Sequence, residues 1–384
     1  MIAYVKHQGS RLVRKGRTIQ VKKGDAVCQT LFVHRVSLLI LMGHVEITPP
    51  AVNILCREGI LTVFLTINGR YKGVLVAEES KNVFLRRRQF QSLDDSDFSL
   101  RMAAALCVGK LSNMATLLGR LKRRSKRWPK QDFARKISAV KELIPKAAKA
   151  ETVASVRGYE GLGTKTFFAG YRFGFKEDWH FSRRVRRPPT DPVNSVLSLL
   201  YTLLFNRMLA AVRATGLDPA VGYLHSLDYG RHSLALDLIE EFRSIVVETC
   251  TMSLFNLKML DGASFYYETQ GEETPTAPDK PSVKSDSIGY IFENPDDTFF
   301  DSDEQKIEEN GQSEREPSGK RPCRLRPEAL QVVLEAFEDK MTTEFRYPPT
   351  NDRVTYAEAL FLQARHFREV LAGTCRAYLP LQMK

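Results

Sequence analysis

Six cysteines stand at 28, 56, 107, 250, 323 and 375, and no two have C-x-x-C spacing. That argues against a zinc knuckle or a redox dithiol, and reduced thiols in a cytoplasmic protein are expected. Long apolar runs are missing too. The longest, VLSLLYTLLF (196–205), is about half of what a bilayer span needs, so neither a transmembrane helix nor a membrane partner is expected. The N-terminus MIAYVKHQGSRLVRKG lacks the charged-then-apolar layout of a secretory signal. No internal repeat is visible.

What is present is charge, and it is segregated. Over the whole 384 residues the net charge is +12. Residues 268–316 hold fifteen Asp and Glu against four Lys and Arg, which leaves 53 Lys and Arg against 30 Asp and Glu, or +23, for the rest. A body that basic gathers polyanions around itself, and counterion release makes nucleic acid the natural partner.

The chain divides by period. Residues 1–80 read as β-rich: TVFLTI and GVLVAE flank the turn-like NGRYKG, with RTIQVKK and SLLIL upstream. One short helix interrupts them, with Thr48 as cap and Pro49 and Pro50 in its first turn. Close turns between short strands predict a small sandwich. A linker is expected over 81–96, and from residue 97 the spacing becomes helical, beginning with SLRMAAALCVGKLSNMATLLGRL and ending in the basic cluster KRRSKR. Helical patterns continue to the C-terminus, broken by a stretch over 269–320 rich in Pro, Ser, Asp and Glu that reads as a disordered acidic insertion. The fold class expected is therefore α+β, a small N-terminal β-sandwich followed by a larger all-helical domain over 97–384.

Within the helical part, GYLHSLDYGRHSLALDLIEEFR (222–243) ends an apolar stretch on His225 and then gathers Asp237, Glu240 and Glu241. On a helix from Ser233 to Thr249, the polar residues Ser233, Asp237, Glu240, Glu241, Ser244 and Glu248 form a strip about 140° wide. Arg243 falls at the apolar border, with Glu240 three residues earlier as its partner. A strip of this kind is either a solvated face with one salt bridge or a cation site. Carboxylates at i, i+3 and i+4 repel unless a cation or basic groups sit among them, and imidazole with carboxylates suits magnesium or manganese.

The same stretch closely resembles the signature of the CRISPR-associated protein one family, the integrase of spacer acquisition. VRGYEGLGTKTFFAGY (156–171) and RRVRRPPTDPVNSVLSLLYTLL (183–204) match two further family segments, in order and at family-like separations. The resemblance implies a β-domain for dimerisation and a helical catalytic domain. It implies metal ligands at Glu160, His225 and Glu240, with Asp237 as a nearby second carboxylate, and Mg2+ or Mn2+ as the ion. It further implies attack of a DNA 3′-hydroxyl on a phosphodiester, a homodimer, and CRISPR-associated protein two as partner. Arg172, Arg183, Arg184, Arg186 and Arg187 would hold the backbone of double-stranded DNA. Tyr159, Tyr171 and Tyr223 stack on bases or fill the core, the core being favoured. Some relatives carry aspartate where Glu240 stands, and the acidic insertion does not match compact relatives. Two rivals stay open: a structure-selective repair nuclease with the same site, and a non-catalytic DNA-binding scaffold.

Overall fold

Leu38–Met42 is a run of five apolar residues, all buried, and the reason is that this strand is covered on both faces. In the computed structural model, which describes residues 2–36, 38–66, 71–76, 82–125, 129–185, 188–267 and 321–383, the strand sits between two cores. Leu39 and Leu41 face a small core with Val5, Leu12, Ile19, Val21 and Leu31. Leu38, Ile40 and Met42 face the large core of the helices.

Two four-stranded sheets build the N-terminal part. The first has the order β1 (Ile2–Val5), β5 (Leu38–Met42), β7 (Leu61–Leu65), β8 (Tyr71–Leu75), and all neighbours are parallel except β7 and β8. The second has the order β4 (Ala26–Phe32), β3 (Thr18–Lys23), β2 (Ser10–Lys15), β6 (Val45–Ile47). Helix α1 (Pro49–Arg57) begins at Thr48 as expected, but the Thr48 hydroxyl donates to the Leu12 carbonyl on β2 and does not cap the helix. The β7–β8 pairing agrees with the hairpin read from the sequence, while the Asn68–Gly69 turn lies outside the described residues.

The segment read as a linker, 81–96, holds helix α2 (Val83–Gln91). Asn82 caps it by accepting from the Leu85 amide, Leu85 joins the large core, and the Gln89 amide donates to the Asp218 and Val221 carbonyls. These contacts make the segment part of the helical body.

That body packs α3 (Ser96–Arg124), α4 (Lys130–Ala148) and α5 (Val153–Tyr171) as neighbours, with α6 (Pro192–Ala214), α7 (Ser233–Phe242) and α8 (Thr249–Asn256) behind them. Asp191 caps α6 through the Asn194 amide, and Gly216 takes the left-handed conformation that ends it. Short strands β9 (Phe265–Tyr267) and β10 (Cys323–Leu325) pair, and α9 (Pro327–Thr342), the hairpin β11 (Glu344–Arg346) and β12 (Arg353–Thr355), and α10 (Tyr356–Ala372) complete the chain. The acidic insertion falls outside the described residues. Helices α3 and α6 are long and apolar enough to cross a bilayer, but 67% and 83% of their most apolar windows are buried against the rest of the protein. They are core helices of a mixed α and β fold.

Candidate active site

The helix carrying the carboxylates is not continuous, and its polar strip does not face water. α7 runs only to Phe242, the next turn, Arg243–Glu248, is a π-helix, and α8 follows. Asp237, Glu240, Glu241, Ser244 and Glu248 are all buried. Their partners come from other elements, which periodicity in one segment cannot reveal.

Asp237 binds the loop that carries His225. Its Oδ2 accepts from the backbone amides of Tyr223 at 2.6 Å and Leu224 at 3.0 Å, and its Oδ1 accepts from the His225 amide at 2.8 Å. The same Oδ1 lies 2.7 Å from His225 Nδ1. With four contacts on two oxygens, Asp237 is the group that orients the imidazole. The other ring nitrogen, Nε2, lies 3.8 Å from Glu240 Oε1. Close approach requires Gly222: a Cβ there would stand 2.6 Å from Ser233 backbone and side-chain carbons and 2.9 Å from Asp237 Oδ2.

Glu160 arrives from α5, where Thr164 one turn later donates to its Oε1 at 2.8 Å. Gly163 lets α5 approach α3, since a Cβ there would overlap the Leu111 side chain at 2.2 Å. On α3, Lys110 reaches across this contact and pairs with Glu160, and its Nζ lies 2.7 Å from Glu240 Oε2. Arg243 Nη1 donates to Glu240 Oε1 at 2.7 Å, the partnership expected from the sequence. Burial alone would raise the Glu240 carboxyl, but Arg243, Lys110 and His225 outweigh it and hold it well below the usual carboxylate range.

Glu160, His225 and Glu240 thus converge from three elements, and Asp237 stands behind the histidine. Glu241 does not join them. It points to the C-terminal segment, accepting from Tyr378 Oη at 2.5 Å, from Gln363 Nε2 at 2.9 Å and from the Leu381 amide. Burial raises its carboxyl to about 7 against these hydrogen bonds. Side-chain exposure is 12% at Glu160 and 20% at His225 against 2% at Glu240, so the site opens on the Glu160–His225 side.

Lys110 and Asn113 were missed by the sequence reading. A signal existed: Lys110 is the only charged residue between Arg101 and Arg120, inside an otherwise core-facing helix. Asn113, one turn on, donates to the Glu241 and Leu381 carbonyls.

The arginines separate. Arg172 is exposed with its guanidinium over the Phe173 ring, and Arg183 is exposed as well. Arg184 is engaged inside the protein, donating to Asn194 Oδ1, Ser198 Oγ and the Val185 carbonyl and lying over the Tyr201 ring. It therefore anchors the start of α6. Arg186 and Arg187 lie outside the described residues. Tyr171 and Tyr223 fill the core, and Tyr159 is partly buried against it.

Among the described residues, no three His, Cys, Asp or Glu side chains stand in coordinating geometry, because Lys110 lies between the two glutamates. The donor set nonetheless fits a hard divalent cation, one imidazole nitrogen and two carboxylates. Glu240 Oε2 is buried and, although close to the Lys110 ammonium, accepts no aligned hydrogen bond among the described residues.

Comparison with known proteins shows the family. Residues 3–274 match the family described as CRISPR associated protein Cas1. The CRISPR-associated endonuclease Cas1 of Leptospira interrogans is 31% identical over 304 residues, spanning 78% of this chain and 100% of that protein. The chain belongs to the Cas1 family. Its function is accordingly CRISPR adaptation, the integration of spacers. The CRISPR-associated endonuclease Cas1 3 of Thermus thermophilus is 29% identical over 385 residues, covering 100% of this chain and 97% of its own. The fold is shared with a Cas1 protein of Thermotoga maritima, at TM-score 0.73 and 19% identity over 97% of both chains. It is shared too with a casposase bound to integration product, at TM-score 0.75 and 17% identity over 100% of this chain and 94% of that one. In a Cas6-RT-Cas1–Cas2 complex the likeness has TM-score 0.74 at 20% identity, covering 100% of this chain and 36% of the longer one.

Proposed function

We propose that Glu160, His225 and Glu240 hold one Mg2+ or Mn2+ ion, and that at this site the free 3′-hydroxyl of a short double-stranded DNA is joined to a phosphodiester of the repeat array. The observation that carries this reading is the convergence of His225 Nε2, primed by the Asp237 contact at Nδ1, with carboxylates from α5 and α7. When bound, the ion supplies Lewis-acid polarisation of the scissile phosphate and neutralises charge that builds up in the transition state.

The chain's own groups do the positioning. Asp237 fixes the histidine tautomer and ring plane, so that a lone pair faces the site without reorganisation. Thr164 and Arg243 hold the two glutamates in single orientations. No protein nucleophile is needed, since the attacking oxygen belongs to the DNA. Exposed Arg172 and Arg183 are suited to the phosphate backbone as dispersed, sequence-independent contacts.

The assembly we propose is a homodimer working with Cas2, in the cytoplasm where its DNA is. The Cas6-RT-Cas1–Cas2 complex supports the second partner. Strand β4 supports the first: it is an edge strand with Val27 48% and Phe32 48% exposed, apolar side chains that a second copy would cover.

The test is joining of a short duplex to a repeat-bearing plasmid with Mn2+, using 3′-hydroxyl and dideoxy-ended donors. Joined product from the hydroxyl donor alone is the expected result. Cutting without joining by either donor would favour a repair nuclease, and binding without cutting a scaffold.

A further inference from the structure

Lys110 has no part in the chemistry just described, yet it is the most tightly placed cation in the site. Its side chain is 0% exposed, on a helix face otherwise lined by Cys107, Leu111 and Met114. A lysine is almost never buried to that degree unless it is paired. Here it pairs twice, with Glu160 from α5 and with Glu240 from α7, the two carboxylates that the proposed ion would need.

Each of the two carboxylates already has a cationic partner without an ion. Two carboxylates, Glu160 and Glu240, face two cations, Lys110 and Arg243, while Asp237 is taken up by His225 and backbone amides. A divalent cation added between Glu160 and Glu240 would face the Lys110 ammonium at close range. Electrostatic repulsion around a buried ammonium is strong and little screened. The Glu240 oxygen facing Lys110 lies 2.7 Å from its ammonium. Ammonium and metal therefore compete for the same lone pairs.

We propose that Lys110 is a built-in competitor of the metal: it holds Glu160 and Glu240 together in the metal-free protein and must be displaced from them before a divalent ion can bind. This rests on those glutamates being the metal ligands. Two consequences follow from opposite sides of one equilibrium. Metal-free protein keeps an ordered site, because the ammonium offsets the repulsion between Glu240 and the partly exposed Glu160. Metal affinity is weakened, because breaking both ion pairs opposes loading.

The test is Mn2+ titration calorimetry and thermal melting on the full chain, for wild type, Lys110→Met, Lys110→Gln and the exposed control Arg123→Met. In chelator, both Lys110 variants should melt below wild type, since Glu160 and Glu240 lose the cation they share. With Mn2+ they should gain more in melting temperature than wild type, because ligand binding stabilises by mass action. Their Mn2+ affinity should be tighter by about tenfold or more, a size typical of coupling within one charged network. Arg123→Met should follow wild type in every respect. Equal or weaker Mn2+ binding by both Lys110 variants would overturn the proposal and leave the metal site standing. Absence of Mn2+ binding by wild type and variants alike would bring down the metal-site reading, and this proposal with it. If the methionine variant does not fold, the glutamine variant decides. Failure of both to fold even in Mn2+ counts against competition, since the ion should then replace the missing charge.

Discussion

Asp237 and Glu160 are both acidic and both beside the site, yet their substitutions should fail differently. Asp237 satisfies three backbone amides and an imidazole in a fully buried position, so Asp237→Ala leaves those donors without an acceptor. A loss of about 2–4 kcal/mol in denaturant unfolding is expected, with joining lost because His225 is no longer held. Glu160 is partly exposed, and Glu160→Gln keeps its shape. It should abolish joining with a smaller loss of stability than Asp237→Ala, since Glu240 still faces the Lys110 ammonium. Equal destabilisation by the two would contradict the division of roles.

His232 gives a pH test. Burial, with Arg213 second, pushes its imidazole down from 6.5 to about 4. The folded protein therefore binds fewer protons than the unfolded chain between these values, so this contribution is complete above 6.5 and is lost as pH falls through 4. Buried Glu241, raised to about 7, works in the opposite direction over part of the same range, so the informative quantity is a difference. From pH 7 to pH 4, wild type should lose up to roughly 3 kcal/mol more unfolding free energy than His232→Phe. Parallel curves for the two proteins would refute it.

At the scale of elements, the loop from Gly222 to His225 matters more than its length suggests. Gly222→Ala should push Ser233 and Asp237 away, because its Cβ has no room. Joining should fall by at least about a hundredfold, as displacement of about an ångström at a catalytic group does, while helical circular dichroism stays unchanged. Near wild-type joining would show that the loop can shift without moving His225. The elements themselves were legible where pattern and environment agree: α1 follows from Pro49 and Pro50 in its first turn, and α3, α6 and the β7–β8 pairing from apolar spacing. The site was only half legible. His225, Asp237 and Glu240 stood out as a possible cation site, Glu160 was added through a family resemblance that also separated Glu240 from Glu241, and the Glu240–Arg243 pair came from spacing alone. What spacing could not give was long-range. Glu241 looked equivalent to Glu240 but is held by Tyr378 and Gln363 from more than a hundred residues away, and Lys110 lies fifty residues before Glu160. The strip seemed able to face water only because its partners lie elsewhere in the chain. The π turn at Arg243 also breaks the 100° step on which that projection relies.

For the whole molecule, charge and architecture act together. Outside residues 268–316 the chain carries 53 Lys and Arg against 30 Asp and Glu, so duplex affinity should fall steeply with salt, with a slope equivalent to several phosphates. Arg172→Ala and Arg183→Ala should each reduce that slope by about one phosphate. Arg184→Ala should instead lower the melting temperature, because its guanidinium ties residues 185, 194 and 198 together. A flat salt dependence, or equal slope changes for all three variants, would contradict the placement of these residues. The claim on which the rest depends is that one divalent ion sits among Glu160, His225 and Glu240. The most direct measurement is an anomalous difference map from crystals of the full chain soaked in Mn2+. A single strong peak touching His225 Nε2 and a carboxylate oxygen of both glutamates, with the Lys110 ammonium withdrawn from them, is the predicted result. No peak there, or a peak held only by other residues, would contradict it.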